Sequence, residues 1–131
     1  MSQKRFLTPA TLSPPFGYSH VVEAPAGTMV YISGQVPLDA EGQLVGGGDF
    51  AAQTRQVFEN LTRALEAADA TWSDVVKLDY FLRDVGQIGV VRAIRDEYVD
   101  TANPPASTLV EVSSLFSPDV LVEIQAVAIK P

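Results

Sequence analysis

The sequence predicts an α+β domain in which two helices pack on one face of a mixed β-sheet. Three patterns carry this reading: an apolar stripe at three- and four-residue spacing after Asp49, a second stripe from Ile88 to Tyr98, and period-two alternation in the segments around them. At 131 residues the chain is long enough for one sizeable core and short of two. The expectation is therefore a single domain over 1–131, with 1–17 as an extended N-terminal arm.

The arm is predicted from Pro9, Pro14, Pro15 and Gly17, which interrupt any regular element before Tyr18. Residues 19–24 and 29–35 flank Pro25-Ala-Gly27 and predict a β-hairpin, followed by a turn at 39–43. Leu44 and Val45 precede Gly46-Gly-Gly48, and Asp49 can cap a helix whose apolar stripe is Phe50, Thr54, Val57, Phe58, Leu61, Leu65 and Ala68. Over 75–82, Val76, Leu78, Tyr80 and Leu82 alternate with Lys77, Asp79 and Phe81, as in a strand packed on one face. Ile88, Val91, Ile94 and Tyr98 predict a second helix, which Asn103-Pro-Pro105 ends. Residues 107–112 and 120–129 read as two closing strands.

Nine Lys and Arg against sixteen Asp and Glu leave a net charge of −7, which argues against nucleic acid and anionic membranes as partners. The absence of Cys excludes disulfides, thiolate metal sites and a Cys nucleophile, and it suits a reducing cytosol. Residues 1–10 lack the apolar core of a signal peptide and no stretch is apolar enough to span a bilayer, so a cytoplasmic protein is expected.

Glu123 is the one charge between Val120 and Ile129. Alternation puts Val120, Val122, Ile124, Ala126 and Ala128 on one apolar face and Glu123 with Gln125 on the other. A carboxyl set among aliphatic neighbours is suited to take and give a proton, although an outer-face Glu in water is an equally good reading of the strand alone. Gly34, inside the strand Ile32-Ser-Gly-Gln35, marks a bulge or the close approach of another group. The proline-set turn at 103–105 aims the hydroxyls of Ser107 and Thr108. The glycines at 46–48 read as a helix entry, because Asp49 would repel a phosphate. His20, the sole histidine, reads as structural or solvent-facing, and Arg92, Arg95, Asp96 and Glu97 read as the solvated side of the second helix.

Taken in order, Gly17-Tyr-Ser19, Tyr31-Ile-Ser-Gly-Gln-Val-Pro-Leu-Asp39, Leu44-Val-Gly-Gly-Gly-Asp49, Gln53-Thr-Arg-Gln-Val-Phe-Glu-Asn-Leu61, Asp74-Val-Val-Lys77, Phe81-Leu-Arg-Asp84 and Leu121-Val-Glu-Ile-Gln-Ala-Val-Ala128 resemble the RidA family, also called YjgF or L-PSP. The resemblance spans nearly the whole chain. It implies a chorismate-mutase-like fold and a homotrimer with small-molecule clefts between subunits. It further implies hydrolysis of reactive enamines and imines such as 2-aminoacrylate to a keto acid and ammonia, with no metal or organic cofactor.

By that resemblance Glu123 is the catalytic acid, Tyr18 the pocket tyrosine, and Ser33 and Gly34 the strand-borne pocket wall. Where the family's deaminases carry Pro-Ala-Arg-Ser, with the Arg gripping the substrate carboxylate, this chain has Pro105-Ala-Ser-Thr108. Ser107 thus stands in for the Arg. Losing such a pair costs about 2–5 kcal/mol, which points to an altered substrate range, and Arg83, which reads first as an exposed arginine at a strand end, is a candidate replacement cation. The competing function is a non-catalytic, regulatory trimer that binds a small metabolite or another protein through the same clefts. A ribonuclease role fits least, given the charge and the single histidine.

Overall fold

The computed structural model describes residues 4–131; the first three residues of the expected arm lie outside the described residues. In chain order the elements are β1 (Arg5–Leu7), β2 (Val21–Glu23), β3 (Thr28–Gln35), α1 (Phe50–Ala67), β4 (Val75–Leu82), α2 (Ile88–Arg95), β5 (Ala106–Glu111) and β6 (Val122–Lys130). The main sheet runs β3-β6-β4-β5, and β1 pairs with β2 separately. β6 is antiparallel to both neighbours, whereas β4 and β5 are parallel, with α2 on the crossover that a parallel pair requires.

Alternation decides which side of this sheet the helices cover. On β6, Val122, Ile124, Ala126 and Ala128 are buried, and Leu78, Tyr80 and Leu82 of β4 share their face. Against it α1 lays Val57, Phe58, Leu61 and Leu65, all essentially inaccessible. Phe58 stacks on Tyr98 at 5.1 Å between ring centroids and leans on Trp72 at 5.8 Å, which ties α1 to the end of α2. Asp49 caps α1 as expected, its side chain accepting from the Ala52 N–H at 3.1 Å. No described element covers the other face of the sheet, where Met29, Tyr31 and Val110 are exposed, Tyr31 by 73 %.

Three expectations are corrected. The segments 19–24 and 29–35 do not form a hairpin: β2 takes β1, and β3 takes β6. The Pro25-Ala-Gly27 link is pressed on the end of β6 instead, where a Cβ at Gly27 would stand 2.5 Å from the Lys130 carbonyl oxygen. A turn signal shows where a strand ends and leaves its partner open, and nine-residue β6 offers β3 a longer ladder than three-residue β2 does. The arm also contains a strand, β1, which lies ahead of Pro9 and so escapes the prolines. In β4, Val75 rather than Val76 is buried, because the pairing with β6 shifts between Val75 and Lys77.

Gln53 holds the site-bearing end of the fold together. It is fully buried on α1, its amide N–H groups donate to the carbonyls of Gly46 (3.1 Å) and Asp119 (2.8 Å), and its amide oxygen accepts from the Leu121 N–H at 2.8 Å. One side chain thereby fixes the helix entry and the start of β6. Gln53→Leu fills the volume and strands three backbone groups, at about 1–3 kcal/mol for each left unsatisfied. Urea unfolding is expected to show at least about 2 kcal/mol of lost stability; a loss below about 0.5 kcal/mol would refute this role.

Candidate functional site

The strand alternation that buries Val122 and Ile124 pushes Glu123 to the uncovered face, opposite Phe81 of β4. On β6's other side lies β3, whose register slips between Ile32 and Gln35, at Ser33-Gly34. The reason for glycine there is geometric: a Cβ on Gly34 would come 2.0 Å from Glu123 Oε2 and 2.9 Å from its Cδ. The Glu123 carboxyl therefore rests on bare backbone at the bulge, with exposed Ser33 beside it. Further along this face Gln125 donates to Asp79 at 3.2 Å, Lys77 pairs with Asp79 at 2.9 Å, and Lys77 donates to the Thr108 hydroxyl at 2.8 Å.

The opposite face carries the second cluster. Ser19 bridges to Ala106, its N–H donating to the Pro105 carbonyl at 3.1 Å and its hydroxyl to that of Pro104 at 2.5 Å. That clamp sets Tyr18 beside the start of β5, where Ser107 lies opposite buried Leu78 and so points to the helix side. Tyr18, Ser107, Tyr80, Arg92 and Arg95 line one pocket of about 190 Å³, closed by Phe16 and the apolar side of α2.

Arg95 is the residue that the sequence reading missed. It was expected on a solvated helix face, yet it is only 7 % exposed. Its Nε donates to Asp96 Oδ1 at 2.9 Å and its Nη1 to the Phe16 carbonyl at 3.4 Å. The guanidinium lies beneath Gly17, where a Cβ would stand 2.2 Å from Nη2. The signal was available: Ile88, Val91 and Arg95 fall at i, i+3 and i+7, on one helix stripe. Glu97, by contrast, is exposed as expected and forms a two-bond fork with Arg55 across α1, at 2.8 and 3.0 Å. Tyr80 was read as core, and it is 3 % exposed; its hydroxyl is buried without a hydrogen-bond partner. Burial holds its phenol well above the ordinary range, so it remains an O–H donor at neutral pH.

The remaining candidates fall as follows. Glu123, Gly34 and Ser33 gather on the outer face, Tyr18 and Ser107 on the inner one, and consecutive Ser107 and Thr108 diverge to opposite faces, as neighbours on a strand must. Arg83 lies apart from Ser107, in a separate hollow with Gly48, Phe50 and Asp84. His20 is half-buried, its Nε2 2.7 Å from the Ser13 carbonyl and its ring edge-on to Tyr18. Among the described residues no cluster of three or more His, Cys, Asp or Glu could hold a metal ion, and no helix is long and apolar enough to cross a membrane.

Two helices on one face of a mixed sheet, with polar groups set into both faces of its strands, make this a chorismate-mutase-like α+β protein. The chain belongs to the Endoribonuclease L-PSP family, the RidA or YjgF family of the sequence resemblance, whose model matches residues 8–130. It is 36 % identical to the 3-aminoacrylate deaminase RutC of Acinetobacter baylyi, over 95 % of this chain and 97 % of that one. It is 35 % identical to the 2-iminobutanoate/2-iminopropanoate deaminase of Salmonella typhimurium, over 93 % and 91 %. Among solved structures, that of the Rid-family protein YyfB from Yersinia pestis, described as of unknown function, superposes with a TM-score of 0.86 at 36 % identity, covering 97 % of this chain and 98 % of that one.

The Gly34–Glu123 contact makes a prediction of its own. Gly34→Ala forces the carboxyl aside, a shift that costs about 1 kcal/mol as an off-rotamer side chain, and Glu123→Ala should remove most of that cost. A double-mutant cycle on unfolding free energies is expected to be non-additive. Additive penalties would place the two groups out of contact.

Proposed function

We propose that this protein is a hydrolase of small reactive enamines and imines, working in clefts formed between copies of the chain. The observation that carries the reading is Glu123: a carboxyl on a strand whose neighbours are fully buried, laid on open backbone at a bulge, in a chain that aligns almost end to end with two named deaminases of such compounds. In the proposed reaction water adds to the C=N carbon while the Glu123 carboxylate takes one of its protons. That proton passes to nitrogen to give a carbinolamine; its hydroxyl proton then moves to the nitrogen by way of Glu123 as the C–N bond breaks, so that ammonia leaves and the C=O forms. An enamine first takes a proton at its β-carbon to become the imine. Every step is proton movement and positioning, so no redox partner is called for.

Glu123 and Ser107 lie on opposite faces of one sheet, two strands apart, so one chain does not bring them into one cleft. Association of copies supports their meeting: one copy offers Glu123, Ser33 and Gly34, and its neighbour offers Tyr18 and Ser107. The uncovered sheet face with Met29, Tyr31 and Val110 exposed favours such an assembly, and the family resemblance supports a homotrimer. Net charge −7 keeps nucleic acid and anionic membranes off the list of partners, and a cytoplasmic setting matches a chain without Cys.

Ammonia release from freshly generated 2-aminoacrylate and 2-iminobutanoate separates an enzyme from a non-catalytic binder. The wild type is expected to outpace buffer, and Glu123→Gln to lose at least about a hundredfold in rate, the usual worth of a placed proton carrier. A wild type no faster than buffer would refute the hydrolase reading for these compounds. The mass in solution should be three times that of the chain, and a monomer would remove the shared cleft.

A further inference from the structure

We infer that the pocket under α2 binds a carboxylate group through Arg95, with the Tyr80 and Ser107 hydroxyls as its hydrogen-bond donors, so that the cation gripping the substrate comes from the helix and not from β5. The inference rests on the reading of the preceding subsection, in that the carboxylate belongs to the imine or enamine substrate. Its basis is the chemistry of the pocket wall. Arg95 is almost completely buried in a chain with nine cationic side chains, and a buried guanidinium requires acceptors. Asp96 takes its Nε, from a carboxylate that is half exposed, and the Phe16 carbonyl takes Nη1 at long range. Nη2, the atom closest to Gly17, has no hydrogen-bond partner among the described residues.

The second observation is independent of the first. The Tyr80 hydroxyl is buried and unpartnered, in the wall that Arg95 and Ser107 share. Leaving such a group unsatisfied is costly, and in a native fold it calls for a partner that the chain itself does not supply. A guanidinium edge, a protonated phenol and a serine hydroxyl offer several donors in a space of about 190 Å³, which suits one planar, two-oxygen anion. Arg92, its Cζ 5.0 Å from the Phe16 ring centre, adds positive potential at the mouth. Ser107 then gains a purpose: a short side chain on β5 leaves room for a carboxylate to reach Arg95, where a long cation at that position would fill the pocket.

The test uses equilibrium binding of stable probes to the intact protein, so it does not depend on turnover. By calorimetry or ligand-observed NMR, wild type should bind 2-oxobutanoate at least about tenfold more tightly than the neutral 2-oxobutanamide. Arg95→Gln should erase that preference while leaving the amide affinity unchanged, and Arg95→Lys should restore part of it. Tyr80→Phe guards against a folding defect in the Arg95 variants: it should weaken 2-oxobutanoate about two- to tenfold without lowering the melting temperature, because the lost hydroxyl had no partner in the free protein. Glu123→Gln should keep the preference. Carboxylate affinity that is unaltered in Arg95→Gln, an equal affinity of wild type for acid and amide, or tighter binding of inorganic phosphate than of 2-oxobutanoate would each overturn the inference. An Arg95-dependent preference without imine hydrolysis would keep the pocket and remove the enzyme; hydrolysis with no such preference would do the reverse.

Discussion

The two-residue period of β6 governs the rest of the molecule. Val122, Ile124, Ala126 and Ala128 must face the helices to bury the core, and that requirement alone fixes Glu123 on the opposite face. A one-residue slip of register would bring a carboxyl under α1 and expose the whole apolar row, so the position of the acid is protected by the entire hydrophobic effect of the sheet. The Ser33-Gly34 bulge on β3 then gives that carboxyl a floor of backbone, and Gln53 pins the chain where β6 begins. The acid is thus placed by packing, not by polar contacts of its own.

The other half of the proposed site has a different physical origin. Tyr18 is held by Ser19's two hydrogen bonds to the proline turn, Ser107 by strand register, and Arg95 by one helical stripe that also carries Ile88 and Val91. In this region the Arg95 guanidinium is buried and the buried Tyr80 hydroxyl has no partner, which is costly to folding and is the usual mark of a place where a ligand completes the bonding. In the proposed site, a cation on α2 in place of one on β5 would approach a substrate carboxylate from a new direction while keeping the electrostatic match.

Much of this was legible in the sequence, for reasons that differ by residue. The α1 stripe, the Asp49 cap, the β6 alternation, the β4 alternation from Leu78 onward and the meaning of Gly34 rest on local periodicity and steric rules, and each appears in the fold. Strand partnership was not legible: the turn signal at Pro25-Ala-Gly27 says nothing of where β3 finds its ladder, and β6 is nearly a hundred residues away in the chain. Arg95 was hidden by its type, because an arginine on an amphipathic helix is ordinarily solvated, and that expectation outweighed its place on the Ile88–Val91 stripe until the packing of Gly17 and Tyr80 showed it buried. The split of Ser107 from Glu123 follows from parity once the strand pairing is known, and parity within a single strand could not supply it.

In the proposed site the reactive acid and the carboxylate-binding group meet across a boundary between copies. Mixing Glu123→Gln with Arg95→Gln chains, unfolding and refolding them together, and assaying 2-iminobutanoate hydrolysis well below KM tests it directly. Each variant alone lacks one half of every cleft, whereas a mixed assembly contains clefts with the Glu123 of one chain facing the Arg95 of the other. The refolded mixture is expected to hydrolyse the imine well above the average of the two variants measured separately. A mixture that gives only that average would contradict a site shared between copies.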